Sequence, residues 1–375
     1  MHKTILETIR TLRSGKSYAI DRRNSNRYRV VLGEDDASKT AYYFSTPIYQ
    51  EESGRVVPLQ FESGGNAYLL KGSNCNISIG QEEIKLTGKN GIVTWRQIGQ
   101  GLQLRGTALY GKGIEIHPTL NGIAVKIHAA SDGISIPLHT SKPFYDIQAN
   151  TKYFALMQEP FQPFMVLSGI GAFLDNGTLG GPLRMSFQKT DDKDFTVWIS
   201  STTDSDRVLW FELNLYEPKL FQDTTVESKN PGENNAFGTT AYLGQSESFG
   251  EQWLYMRPDL SVFSDLSGKH INSAFLYVPT YSQNAVRLRG IGIPQRFCSF
   301  GSNWQNKIAP TKPFAYGTAV NGYYQLDLSR VLTDPDTNML HRTDGWILRT
   351  VGNGYTTIST ADSFFSPQIL VINYT

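Results

Sequence analysis

The sequence predicts an all-β protein made of two β-sandwich domains preceded by a short N-terminal helix. Charged residues supply only 18% of the chain while aromatics supply 12% and glycines number 34, a composition that suits twisted sheets and tight turns better than helices. Apolar residues then alternate with polar ones over short runs punctuated by Gly, Asn and Asp. One segment near the start has helical spacing instead. At 375 residues the chain exceeds one ordinary domain and is long enough for two, each burying its own core.

The helix comes first. Thr4 and Glu7 are spaced as a capping box, Ile5, Leu6, Ile9 and Leu12 share one face, and Gly15 is placed to end it. A helix this short needs a docking surface, on its own sheet or on a neighbouring subunit. Residues 1–30 hold eight basic side chains against two acidic ones, which read as a solvated basic face.

From Lys16 to Pro218 the period is two. Ile77 and Ile79, Ile84 and Leu86, and Ile92 after Asn90-Gly91 mark short strands. The clearest hairpin is Ile114–His117 with Ile123–His128 around Asn121-Gly122, isoleucines and valine on one face and polar residues on the other. Strands follow at 183–188, 194–200 and 207–216. Pro218 and the run Lys229-Asn230-Pro231-Gly232 break regular structure, so the expected domains are residues 1–218 and 219–375. No repeat of solenoid or propeller length recurs.

Bulk properties exclude several classes. With 35 Lys+Arg against 34 Asp+Glu, no global field favours nucleic acid or an anionic membrane. Cys75 and Cys298 fall in different expected domains and read as small buried apolar residues, without a disulfide framework. Met1–Gly15 lacks the apolar stretch of a secretory signal, and the longest apolar run, Phe164–Leu174, is too short to span a bilayer. The expectation is a soluble chain with no recognisable export signal and no membrane insertion.

The C-terminal part carries an ordered series of motifs. They are Asp223-Thr224-Thr225-Val226, Asn235-Ala236-Phe237-Gly238, Tyr242-Leu243-Gly244, Arg257-Pro258-Asp259-Leu260 and Ser273-Ala274-Phe275-Leu276. Asn303-Trp304-Gln305-Asn306-Lys307, Gln325-Leu326-Asp327-Leu328, Gly345-Trp346-Ile347-Leu348 and Ser366-Pro367-Gln368-Ile369-Leu370-Val371 follow. About residues 220–375 therefore resemble the DNRLRE module, or disaggregatase-related repeat, among the jelly-roll carbohydrate-binding modules. The N-terminal part resembles no family. The resemblance implies a jelly roll that binds or builds, with Trp304 and Trp346 in its core. Pro258 replaces the family's aromatic, and because proline removes a ladder donor the strand should end, bulge or lie at an edge there.

Alternation makes a further prediction. If Leu254, Met256 and Pro258 face the core, Trp253, Tyr255 and Arg257 face outward, where flat aromatics beside a guanidinium would contact a glycan or another subunit. Glu115, His117, Lys126 and His128 share the polar hairpin face, and a Glu with two His has the donor types of a zinc site or a lyase base. Asp334, Asp336 and Asn338 imitate the first half of a calcium loop, but Met339 stands at the turn-glycine position and Gly345 at that of the distal glutamate. A polar turn is the simpler reading. Structural calcium is thus the one cofactor candidate, and no other cofactor is expected. Glu34-Asp35-Asp36 and Asp191-Asp192-Lys193-Asp194 read as solvated loops. No phosphate loop, nucleophile elbow or zinc signature is present.

The expected function is a non-catalytic structural or attachment subunit of an extracellular assembly, such as a phage-like particle, spore layer or cell-surface layer. It would self-associate or join other subunits, and would be cytoplasmic before assembly or release. The alternatives are a glycan-binding module for cell-wall or capsule polysaccharide, and a polysaccharide lyase or hydrolase with its site in the N-terminal domain.

Overall fold

The computed structural model describes residues 5–13, 19–33, 38–48, 59–71, 73, 75–96, 101–129, 133–174, 177–202, 207–282, 286–333 and 344–375. It is all-β, with antiparallel sheets throughout and short helices. Two compact units divide the chain. One joins Lys3–Val56 to Pro218–Thr375, and the other is Val57–Glu217.

This partition corrects the expected 1–218 domain at its N-terminal side. Lys39–Phe44 pairs antiparallel with the closing strand Ile369–Tyr374, from Lys39 opposite Tyr374 to Phe44 opposite Ile369. The first strands thus complete the sandwich that the last strand closes, and the second unit is an insertion in the sequence of the first. The cause is visible in the side chains. Val31, Ala41 and Tyr43 enter one core while Val30, Leu32, Tyr42 and Phe44 enter another on the opposite face, so this strand pair needs cover on both sides.

In the split unit, one seven-stranded sheet runs Ala19–Ile20, Arg29–Gly33, Lys39–Phe44, Ile369–Tyr374, Ile271–Pro279, Tyr323–Asp327, Ala319–Val320. The facing sheet runs Pro313–Gly317, Leu288–Gly292, Trp346–Thr350, Gly250–Pro258, Thr240–Ser246, Tyr355–Ser359, with Phe221–Glu227 also paired to Gly250–Pro258. Leu254, Met256, Leu276, Tyr324, Trp346, Leu370 and Ile372 fill the space between them. Each large apolar side chain so buried contributes about 1.5–3 kcal/mol. The strand Gly250–Pro258 ends at its proline, with Pro258 opposite Phe221, as the missing donor requires.

Both outer faces of this sandwich are covered by the chain itself. The helix Ile5–Leu12 lays Ile9 and Leu12 on Val30, Leu32, Tyr42, Phe44, Ile48 and Ile369, so it docks on its own sheet. Thr4 and Gly15, its expected cap and stop, lie outside the described residues. The basic face is partly committed: Arg13 is buried, and Arg29 pairs with Asp265. On the other sheet, the segment 293–308 covers the outer side.

The inserted unit is a second sandwich. One sheet runs Asp146–Ala149, Tyr153–Glu159, Gln162–Phe173, Arg207–Leu215, Gly122–Ala129, Ile114–Thr119, Ala108–Gly111, Gln103–Arg105, with Leu179–Gly181 paired to Gln162–Phe173. The other runs Leu183–Lys189, Asp194–Ser201, Ile134–Thr140, Gly91–Arg96, Glu83–Gly88, Asn76–Ile79, Ala67–Lys71, Gln60–Gly64. Ile84, Leu86, Val93, Ile116, Val125, Leu138, Phe154, Val197, Phe211 and Leu213 pack between them. The expected hairpin is present in register, Ile114 opposite Ile127 and Thr119 opposite Gly122. Gly122 has a further reason to be glycine: a Cβ there would lie 2.1 Å from the Leu213 carbonyl oxygen on the next strand.

Candidate functional site

The aromatic face expected at Trp253, Tyr255 and Arg257 does point away from the sandwich core, but it is not exposed. Ile293, Phe297 and Ile308 cover it, and Trp253 and Tyr255 are 6% and 0% exposed. Trp304 packs edge-on against Trp253 with ring centroids 5.1 Å apart, so it belongs to this outer cover and not to the space between the sheets. Trp346 is in the core as expected. The Trp253 indole N–H donates to Glu251 at 2.8 Å, and the Tyr255 hydroxyl donates to the Ile308 carbonyl at 2.9 Å. Burial pushes the Tyr255 hydroxyl up to about 12. Arg257 donates to Gln222 and lies over the Phe297 ring at 5.8 Å. Alternation gave the side correctly and missed the segment 293–308 that folds over it. This trio is a packing cluster, and the glycan or subunit contact expected there is withdrawn.

The polar hairpin face brings three of its four residues together. Glu115 accepts from His117 at 3.3 Å and pairs with Lys126 at 3.6 Å. The Lys126 ammonium sits 4.5 Å from the centre of the Trp210 ring, and Tyr110 meets His117 edge-on at 6.4 Å. Burial first, and Lys126 second, hold the His117 imidazole below its ordinary value despite Glu115. His128 is exposed at the open end of the hairpin and adds no ligand to the trio. Three groups satisfying one another form a polar ladder, with no cluster of three metal-ligating side chains among the described residues.

The remaining candidates resolve simply. Asp334, Asp336 and Asn338 lie outside the described residues, as do Glu34, Asp35 and Asp36. Asp191 accepts the backbone N–H groups of Lys193 and Asp194 at 2.7 and 2.9 Å, and Lys189 pairs with Asp192. That is a self-satisfied turn; the bonded N–H of Lys193 is the main reason the Asp191 carboxyl lies below its usual range. Cys75 and Cys298 are free thiols. Cys75 is half-buried against the core of the inserted unit, and burial raises its thiol to about 11; Cys298 is exposed and corrects the expectation of burial.

Two features escaped sequence reasoning. The first is a buried charged cluster in which Lys219 bridges Asp223 and Asp362. The Asp223 carboxylate also accepts the Ala361 backbone N–H at 2.6 Å. Lys219 and Asp223 are four residues apart, but Asp362 lies over a hundred residues further on, so no local pattern could join it to the other two. The second is Trp198, on the outer face of the inserted unit's second sheet and 40% exposed. Strict alternation in Phe195-Thr196-Val197-Trp198-Ile199 was a usable signal, since it puts Trp198 opposite the apolar side of its strand.

Compared with known proteins, the chain matches no protein-family model and no curated protein. The DNRLRE resemblance therefore rests on its own motifs.

Proposed function

We propose that the chain is a non-catalytic structural or attachment subunit of an extracellular assembly. The observation that carries this reading is the insertion: the sandwich of Val57–Glu217 interrupts a sandwich begun by Lys3–Val56 and completed by Pro218–Thr375. An inserted domain is joined to its host by two chain connections instead of one, which suits a support and the module it carries. The host sandwich closes its outer faces with its own helix and loop, consistent with a durable body. The acid–base groups of the hairpin face are engaged with one another, which supports binding over turnover.

Sedimentation velocity tests the reading, run on the purified chain across a wide concentration range and with the proteins encoded beside it. Association into a species larger than the monomer is expected. A chain that stays monomeric in every mixture overturns the assembly role, and new reducing ends or unsaturated products released from uronate polysaccharides overturn the non-catalytic one.

A further inference from the structure

Of the six tryptophans, Trp198 is the one that is exposed. Its strand sends Phe195, Val197 and Ile199 into the core and turns Thr196, Trp198 and Ser200 outward. Directly across on either side stand Ser135 and Ser186. Two serines are too small to cover an indole, and the residue keeps 40% of its surface exposed. Diagonal neighbours on the same face are Pro137, opposite Thr196, and Arg184 and Gln188, opposite Ser200 and Thr196. Among the described residues no ring, cation or hydrogen bond engages the Trp198 side chain.

The surroundings select the occupant. A protein hot spot sits in a well-packed, desolvated pocket, and here the indole stands on an open sheet face with two hydroxyls, an amide and a guanidinium around it and Pro137 as the one apolar neighbour among those paired beside it. A flat apolar centre inside a polar ring matches a pyranose, which offers a C–H face for stacking and hydroxyls at its rim. Charge narrows the class. Asp194, the nearest carboxylate on this strand's outer face, is committed to His139 with Nδ1 2.9 Å from Oδ1, while Arg184 is exposed and has no acidic partner among the described residues. A guanidinium so placed fits a sugar carboxylate by paired hydrogen bonds.

We propose that this sheet face binds a uronate-containing polysaccharide, with one pyranose stacked on Trp198 and its carboxylate held by Arg184. Ser135, Ser186 and Gln188 serve the ring hydroxyls. This adds a ligand to the attachment role without resting on it, because binding is read on the purified chain whether or not it assembles.

The test is isothermal titration and affinity electrophoresis of the full chain with polygalacturonate, and with a neutral β-glucan as the contrasting probe. Polygalacturonate is expected to bind, Trp198→Ala to weaken it about tenfold, a loss of about 1.4 kcal/mol, and Trp198→Phe to restore part of it. Arg184→Gln is expected to weaken polygalacturonate severalfold while leaving the thermal midpoint unchanged. Absence of polygalacturonate binding, or equal binding by Trp198→Ala, overturns the site. Equal affinity for the neutral glucan, unmoved by Arg184→Gln, overturns the assignment to uronates.

Discussion

Trp253 and Trp304 meet edge to face with ring centroids 5.1 Å apart, and Arg349 caps the Trp253 ring from 4.3 Å. The contact joins the outward side of a central strand to a segment some fifty residues later. It gives the strand Gly250–Pro258 packed side chains on both faces: Leu254 and Met256 within, Trp253 and Tyr255 under the cover.

Trp253→Ala is accordingly expected to behave as a core truncation, costing about 3–5 kcal/mol. Denaturant unfolding followed by tyrosine and tryptophan fluorescence reads the loss. A cost below about 1 kcal/mol, the range of ordinary surface changes, would mean that the cover contributes little.

Gly122 gives a sharper steric test. A Cβ at this position would come 2.1 Å from the Leu213 carbonyl oxygen and 2.7 Å from the Asn214 Cα, so Gly122→Ala must push two paired strands apart. Its expected cost is about 2 kcal/mol or more, at the upper end of overpacking changes. Gly80→Ala in the same unit, where the nearest atom would be 3.6 Å away, is expected to be nearly neutral. Thermal midpoints of the two variants make the comparison.

Asp362 makes stability depend on pH. Burial is the largest influence and raises its carboxyl well above the ordinary range; Lys219 pulls it down and Asp223 pushes it up. Because the folded value exceeds the unfolded one, its contribution is fully present below the ordinary carboxylate value near 4 and is lost as pH rises through the folded value. Asp362→Asn is expected to match the parent in acid and to exceed it at neutral pH. Lys219→Met strands the carboxylates and is expected to cost about 3–5 kcal/mol at neutral pH. Denaturation midpoints followed from acid to alkaline pH would show the parent and Asp362→Asn diverge as pH rises. Asp21 runs the other way. Lys39, at 2.7 Å, holds its carboxyl at about 2, so that contribution is present above the ordinary value and lost only as pH falls toward 2.

The N-terminal helix belongs to the host sandwich. Ile9 is fully buried against Val30, Leu32 and Phe44, and Ile9→Ala is expected to cost about 2–4 kcal/mol. Hydrogen exchange is expected to show the loss in Arg29–Gly33 and Lys39–Phe44 first.

How far the sequence could be read follows from what is local. Period-two alternation in Ile114–His117 and Ile123–His128 marked a hairpin that forms in register, and Pro258 marked the end of its strand. Both effects act within a few residues. The pairing of Lys39–Phe44 with Ile369–Tyr374 joins opposite ends of the chain, and alternation says nothing about a strand's partner. The same limit explains Trp253 and Tyr255. Alternation assigns a face, and only tertiary structure says whether a later segment covers it. Trp198 was legible by the same rule and stands out only beside the two serines that sheet pairing places next to it.

The attachment role itself is tested most directly on native material. Electron microscopy of the particle or surface layer from the source cells, with antibodies against this chain and quantitative mass spectrometry of its subunits, reads location and stoichiometry together. The expected result is a regular array of label and a fixed ratio of this chain to its neighbours. Label confined to unassembled material, with the chain recovered only as free monomer, would contradict the account.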